Sequence, residues 1–433
     1  MNLRKLAALS GTALLVISAC STPPAATSGA TSGASSAPIP SVDTSKGTVK
    51  IAIELPQQGS EKAASDPIIN GIKLAVKQAG GGAGGYKIEI PQGSIYDDAL
   101  NGAHDPQTGA NNMSQIVADP DHVAVIGPLN SSVALAQIPI SNEGGLLQCS
   151  PANTNPDLTK GAPAAQLRTK PNNYIRVVTT DDIQGPAAAQ YIYDVLGKKS
   201  VYVIDDTETF GKGVADAFDA EFKKRGGTVV KHDAAPKTTQ DYVSIMTAAK
   251  ALNPESIYFG GVTATGGARI LLAAAQAGLG DVPYVGPDGI NDGSGETKDS
   301  FLNLAAAAAK NSYSTLAGIG DFPGKAQFDT DYKAEYGIDA TGYAGTGYAC
   351  AQVVIDAIGR AGAAAADKAA LREAVRVAGT DTAAKYSTIV GDITFNADGD
   401  TSQKIVSIYS VDPAGANGKG DWKFETQVDY ATP

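Results

Sequence analysis

Histidine is scarce in this chain, with three among 433 residues: His104, His122 and His232. They lie far apart and show no metal-ligand spacing, so no metal site and no histidine-dependent catalysis is expected. Basic residues number 34 against 45 acidic ones, a formal charge of −11. No basic tract is present to follow a phosphate backbone, which argues against nucleic acid as a partner. A G-x-S-x-G elbow is missing, and so is the P-loop order; the glycine-rich "GGGAGGYK", Gly80 to Lys87, follows a helical pattern and reads as a turn. The chain is therefore not read as an enzyme, and no cofactor is expected. After the N-terminus no apolar run is long enough to cross a bilayer.

What is present begins with 43% apolar residues, enough for a folded body, over a length that calls for two sizeable lobes. The N-terminus, "MNLRKLAALSGTALLVISAC", starts with Arg4 and Lys5 and continues as an apolar run too short for a membrane span. It ends in Ile17-Ser18-Ala19-Cys20, which resembles the bacterial lipobox. That resemblance implies that Cys20 becomes the lipid-modified first residue. Residues 21–46 are almost all Ser, Thr, Ala, Pro and Gly, too poor in apolar surface to fold, and read as a flexible tether. The expected location is the outer face of the cytoplasmic membrane, with only the lipid in the bilayer. Cys149 and Cys350 remain, as one disulfide or as two buried thiols; two thiols is the expectation.

From residue 48 strand and helix signals alternate. "TVKIAIEL" is a buried-strand pattern. "DPIINGIKLAVKQAGG" follows, with Asp66 as expected N-cap and Pro67 at the first helical position. Ile68, Ile69, Ile72, Ala75, Val76 and Ala79 make its apolar face. "YKIEI", "HVAVIG" and "LLQCS" are further strands, separated by helices near 107–118 and 132–143. The pattern restarts after residue 173 with "NYIRVV", "SVYVID", "GTVVKH", "SIYFGG" and "VPYVG". Repeated β-α units predict an α/β fold with two doubly wound parallel-sheet lobes joined by a multi-strand hinge. The expected boundaries are a signal peptide at 1–19, an anchored linker at 20–47, a first lobe of 48–177 with 318–400, and a second lobe of 178–317 with 401–430. Hinge strands are expected near 177–181 and 311–317, with a third crossing later. Open α/β sheets bind ligands at the carboxyl ends of their strands, so two facing lobes make a cleft.

Three strand ends carry candidate chemistry. After "HVAVIG", Asn130, Ser131 and Ser132 stand where a helix begins, a place that suits a carboxylate or phosphate. On that segment alone, plain N-capping by Ser or Asn is the expectation. The second is "CSPANTNPDLT", Cys149 to Thr159, crowded with neutral hydrogen-bonding groups. Two such neutral sites side by side can hold a carboxylate without a formal cation. In the third, "VGPDGIND", Asp288 sits at a glycine-rich exit, as an acid for an ammonium or as a turn former.

The stretch "VIGPLNSSVALAQIPISNEGGLLQCSPANTNPDLT", with "YIRVVTTDDIQGPAAAQYI", "TETFGKGVADAF", "SIYFGGVTATGG" and "VGPDG" in that order, resembles bacterial branched-chain amino-acid-binding proteins. These are type I solute-binding proteins of ABC importers. The resemblance covers about 48–410. It implies that a ligand carboxylate meets Ser131 and Thr154, and an ammonium the Ala152 carbonyl, Thr154 and Asp288, where the family often has Glu. Phe210 and Val262 stand where the family has tyrosines, and Ala64 is placed near a family aromatic. Asn130 occupies a family cysteine position. The resemblance further implies a monomer that captures a small amino acid by hinge closure and hands it to a membrane permease; the sensing of a ligand, or the binding of a short-chain amide, is the alternative. The pocket wall is expected to lack a further acid for a cationic side chain, while Thr263 and Thr265 offer polar contacts.

Attachment to the membrane is expected to depend on Cys20. In fractionated cells Cys20→Ala should move the protein to the soluble fraction. A parent protein that is already soluble, or carries no lipid, would sink the anchor.

Overall fold

The computed structural model describes residues 40–365 and 368–430. The signal peptide, Cys20 and most of the tether lie outside the described residues. The parallel core of the first sheet is built from β1 (Thr48–Glu54), β2 (Tyr86–Glu89), β3 (His122–Ile126), β4 (Leu147–Ser150) and β5 (Tyr174–Arg176), in the order β2-β1-β3-β4-β5, with the short Gly82–Ala83 antiparallel to β2 and Ile95–Tyr96 parallel to β1. The connecting helices are α1 (Glu61–Gln78) after β1, α2 (Pro106–Ala118) before β3 and α3 (Ser131–Glu143) after it.

The second sheet starts beyond α4 (Asp181–Gln190). Its strands are β6 (Ser200–Asp205), β7 (Thr228–Ala234), β8 (Ser256–Gly260), β9 (Tyr284–Gly286) and β10 (Ser312–Leu316), with α5 (Thr209–Lys224) after β6. Their order is β7-β6-β8-β9-β10, again parallel. The chain then returns to the first lobe with α6 (Lys325–Tyr336), α7 (Ala344–Gly362) and α8 (Lys368–Gly379). It ends as two antiparallel strands on the edge of the second sheet, β11 (Ile405–Asp412) and β12 (Asp421–Asp429). Two doubly wound parallel-sheet lobes joined by several crossings are thus observed. The crossings are stitched together: Thr179 N–H donates to the Ala317 carbonyl at 3.0 Å, and Ser407 Oγ to the Gly318 carbonyl at 2.8 Å.

Each sheet is covered on both faces because its strands are apolar on both. On the first, Ile51, Ile53 and Ile126 pack with Ile68, Ile72, Val353 and Val354 of α1 and α7. Ala52 and Val125 turn the other way, onto Met113 and Ile116 of α2. Each fully buried aliphatic side chain contributes about 1.5–3 kcal/mol of transfer free energy. Helices α1 and α7 cross closely enough to require glycine: a Cβ at Gly71 would lie 2.2 Å from the Ala344 carbonyl oxygen.

Two expectations are corrected. Helix α1 begins at Glu61 rather than beyond Asp66, and Pro67 lies inside it. Tertiary anchoring at the first turn explains the extension, since both carboxylate oxygens of Glu61 are held by His104, at 2.6 Å each. Cys149 and Cys350 form a disulfide rather than two thiols. The β-α alternation placed Cys149 at the end of β4 but gave no view of α7 lying across that strand. The bridge joins residues 201 apart, so Cys350→Ser should lower stability in urea by about 2–5 kcal/mol. Reductant should weaken the parent and leave the variant unchanged; an equal response of both would argue that no bridge exists.

Candidate functional site

The carboxyl ends of both sheets face one cavity, with about 630 Å³ of space unfilled by atoms when its mouth is counted. Ser131, Ala152, Thr154, Phe210, Val262 and Asp288 all line it, as do Ala64 and Thr263. Thr265 does not: its hydroxyl donates to Asp206 at 2.6 Å and accepts from the Val262 N–H at 3.1 Å, so it braces the loop instead.

The loop after β4 is shaped from behind. Arg176 on β5 is fully buried. Its Nη1 donates to the carbonyls of Asn153 and Asn155, at 3.2 and 2.7 Å, and its Nη2 to the Thr159 hydroxyl. The Thr154 carbonyl accepts from the Asp181 N–H at 2.9 Å. Three successive carbonyls are therefore occupied by protein donors. The Thr154 hydroxyl partners the Asp181 carboxyl. Beside this loop, α3 starts at Ser131 with no side-chain cap, so the plain N-capping reading fails. Asn130 instead donates its Nδ2 to Glu61 at 3.0 Å. The first N–H groups of a helix have no intrahelical partner and carry partial positive charge. Ser131 and Thr154 are 2% and 1% exposed.

Opposite, Asp288 accepts from Gln184 Nε2 at 2.6 Å and from the Tyr343 hydroxyl. Burial pushes its carboxyl up to about 6 against those two donors. The neighbouring Asp181 is held well above the usual carboxylate range, first by burial and then by the charge of Asp288. The wall also contains two further acids, Glu61 and Asp292, contrary to the expectation of none. Glu61 went unseen because α1 was started too late, and Asp292 because "GIND" reads as a turn. Burial drives Asp292 to about 7, against the pull of the Phe301 N–H and Thr263. Glu61 is matched by His104; burial opposes the imidazolium, but Glu61 and Glu208 raise it to about 10. Among the described residues no lysine or arginine lines the cavity.

The lobes meet at the mouth. Asn155 Nδ2 donates to the Thr209 carbonyl at 2.8 Å, and His104 Nε2 lies 3.7 Å from Glu208. Among the described residues no group of three or more His, Cys, Asp or Glu is arranged to hold a metal ion. No described helix is long and apolar enough to cross a membrane.

A family model described as "Periplasmic binding protein" matches residues 48–418. The chain is 28% identical over 364 residues to the Leu/Ile/Val-binding protein BraC3 of Rhizobium johnstonii, covering 83% of this chain and 91% of that one. A leucine binding protein of Thermotoga maritima superposes with a TM-score of 0.74 at 26% identity, over 88% of this chain and 99% of the other. A Rhodopseudomonas palustris transporter protein in complex with 3,4-dihydroxybenzoic acid shares the fold at a TM-score of 0.70 and 20% identity, over 88% and 97%.

The buried acids set a pH dependence. Burial holds Glu54 and Asp292 at about 7, and Asp206 and Asp288 at about 6. Between about pH 4 and 7 the folded chain therefore binds more protons than the unfolded one, and stability falls as pH rises. His104, raised to about 10, extends the fall above its unfolded value near 6.5. The ligand-free protein should melt higher at about pH 5 than at about pH 8. A midpoint that rises over that interval would mean that these acids are charged and paired in the folded state.

Proposed function

Because the chain belongs to the periplasmic binding protein family, we propose that it captures a small neutral or aliphatic α-amino acid between its lobes. Closure of the hinge buries the ligand, and the closed form delivers it to an ABC importer. ATP is hydrolysed by other subunits, since this chain carries no P-loop. The observation that supports this most is one cavity with two unlike ends: a neutral cradle at Ser131 and Thr154, and an acid, Asp288, facing it.

The cradle suits an α-carboxylate, held by hydroxyls and helix N–H groups rather than by a cation. Asp288, with the Ala152 carbonyl, suits the ammonium. Phe210, Val262 and Ala64 supply an apolar part of the wall, with Tyr343 also lining the cavity. A relative named for leucine, isoleucine and valine supports the amino-acid reading, whereas a neighbour of the same fold holds an aromatic acid. We further propose that the protein works outside the cytoplasm as a monomer, tethered through lipid on Cys20, and that the first lobe comprises 48–177 with 318–400 and the second 178–317 with 401–430.

Calorimetry tests the site. Loss of a hydrogen bond to a charged group costs about 1.5–3 kcal/mol, roughly 10- to 150-fold in affinity. Ser131→Ala, Thr154→Ala and Asp288→Asn should each weaken the best-bound amino acid by that order. Unchanged affinity in all three folded variants would refute the clamp. A tight ligand without an amine, alongside failure of every α-amino acid, would refute the amino-acid reading.

A further inference from the structure

The cavity wall holds polar groups that have no partner among the described residues. Asn130 spends its Nδ2 on Glu61 Oε1, which fixes the amide's orientation. Its Oδ1 is left as a buried acceptor with no partner, on a residue only 6% exposed. Across the cleft Asn291 is 7% exposed, and its Nδ2 is a buried donor with no partner. Both asparagines line the cavity. Asp292, the next residue, gives Oδ1 to the Phe301 N–H at 2.8 Å, and lies close enough to Glu61 to feel its charge. Glu61 is already committed to His104 and Asn130.

We propose that Asn130, Asn291 and Asp292 form a subsite for a primary carboxamide, so that the amino acid captured carries an amide side chain. This rests on the amino-acid reading above. Asn130 Oδ1 and the Asp292 carboxyl accept the two amide N–H bonds, and Asn291 Nδ2 donates to the amide carbonyl. An aliphatic side chain would leave Asn130 Oδ1 and Asn291 Nδ2 dry and unpaired, which buried polar groups tolerate poorly. An ammonium would satisfy the acceptors, but would meet Asn291 only if that amide turned over to present Oδ1. Burial of Asp292 favours its neutral form, so this subsite does not demand a cation.

The test is calorimetry on the folded protein and on Asn291→Ala, with L-asparagine, L-glutamine, L-leucine and L-lysine. Since Asn291 Nδ2 has no protein partner, the substitution removes none of its hydrogen bonds. Asparagine or glutamine should bind the parent at least about tenfold more tightly than leucine. Asn291→Ala should weaken that amide ligand about tenfold and change leucine by no more than about twofold. Leucine bound as tightly as the amides would overturn the subsite and leave the amino-acid reading standing. Lysine bound best would overturn the amide assignment in favour of an ammonium. Failure of all four would overturn the subsite and count against the reading beneath it.

Discussion

The buried ion pair of Arg176 and Asp400 holds the rest of the site in place. The two side chains are 0% and 2% exposed, and Nε lies 2.7 Å from Oδ1. Taking two charges out of water costs several kcal/mol per ion unless further hydrogen bonds compensate. On the arginine they do, because Nη1 and Nη2 donate to Asn153, Asn155 and Thr159, while Asp400 Oδ2 has the Lys160 ammonium at 3.8 Å. One cation thus ties together β5, the loop after β4, and the segment where the chain last crosses between lobes. With the loop carbonyls occupied from behind, Thr154 keeps its place on the cavity wall. The neutral cradle exists because a charge is spent one layer deeper.

That arrangement leaves the cavity short of positive charge. Asp288 and Asp292 face it with no lysine or arginine among the described residues of the wall, and burial raises both carboxyls. An empty closed cleft therefore carries a standing electrostatic cost. The proposed ligand, bringing an ammonium and amide donors, would reduce it by contacting both lobes. Differential affinity of this kind is what allows a ligand to shift a conformational equilibrium.

Much of this was legible in the residues. The β-α alternation and strand-end rule placed Ser131, Thr154 and Asp288 correctly on one cleft, because parallel sheets put their loops on one edge. "NYIRVV" also held a signal that was passed over: an arginine inside an apolar strand is almost never buried without partners. Other parts depended on contacts distant in sequence. Glu61 joins α1 only because His104 and Asn130 reach it. The Cys149–Cys350 bridge depends on how α7 crosses β4, which no local pattern encodes. Thr265 looked available because its spacing matched the loop, while its actual partner, Asp206, lies 59 residues away.

The contacts at the mouth of the cleft bear on the proposed closure. The Asn155–Thr209 hydrogen bond is a neutral contact, worth about 0.5–1.5 kcal/mol net. His104 lies 3.7 Å from Glu208, and its closer carboxylate is Glu61, on its own lobe, at 2.6 Å. The imidazolium is thus stabilised before the lobes meet, and Glu208 adds to a charge already balanced. On the proposed capture reading, the Asn155–Thr209 contact would favour a closed form only weakly. A ligand that bridges the Ser131–Thr154 cradle and Asp288 adds several charge-assisted bonds at about 1.5–3 kcal/mol each. That difference is of the order needed to move a two-state hinge from mostly open to mostly closed.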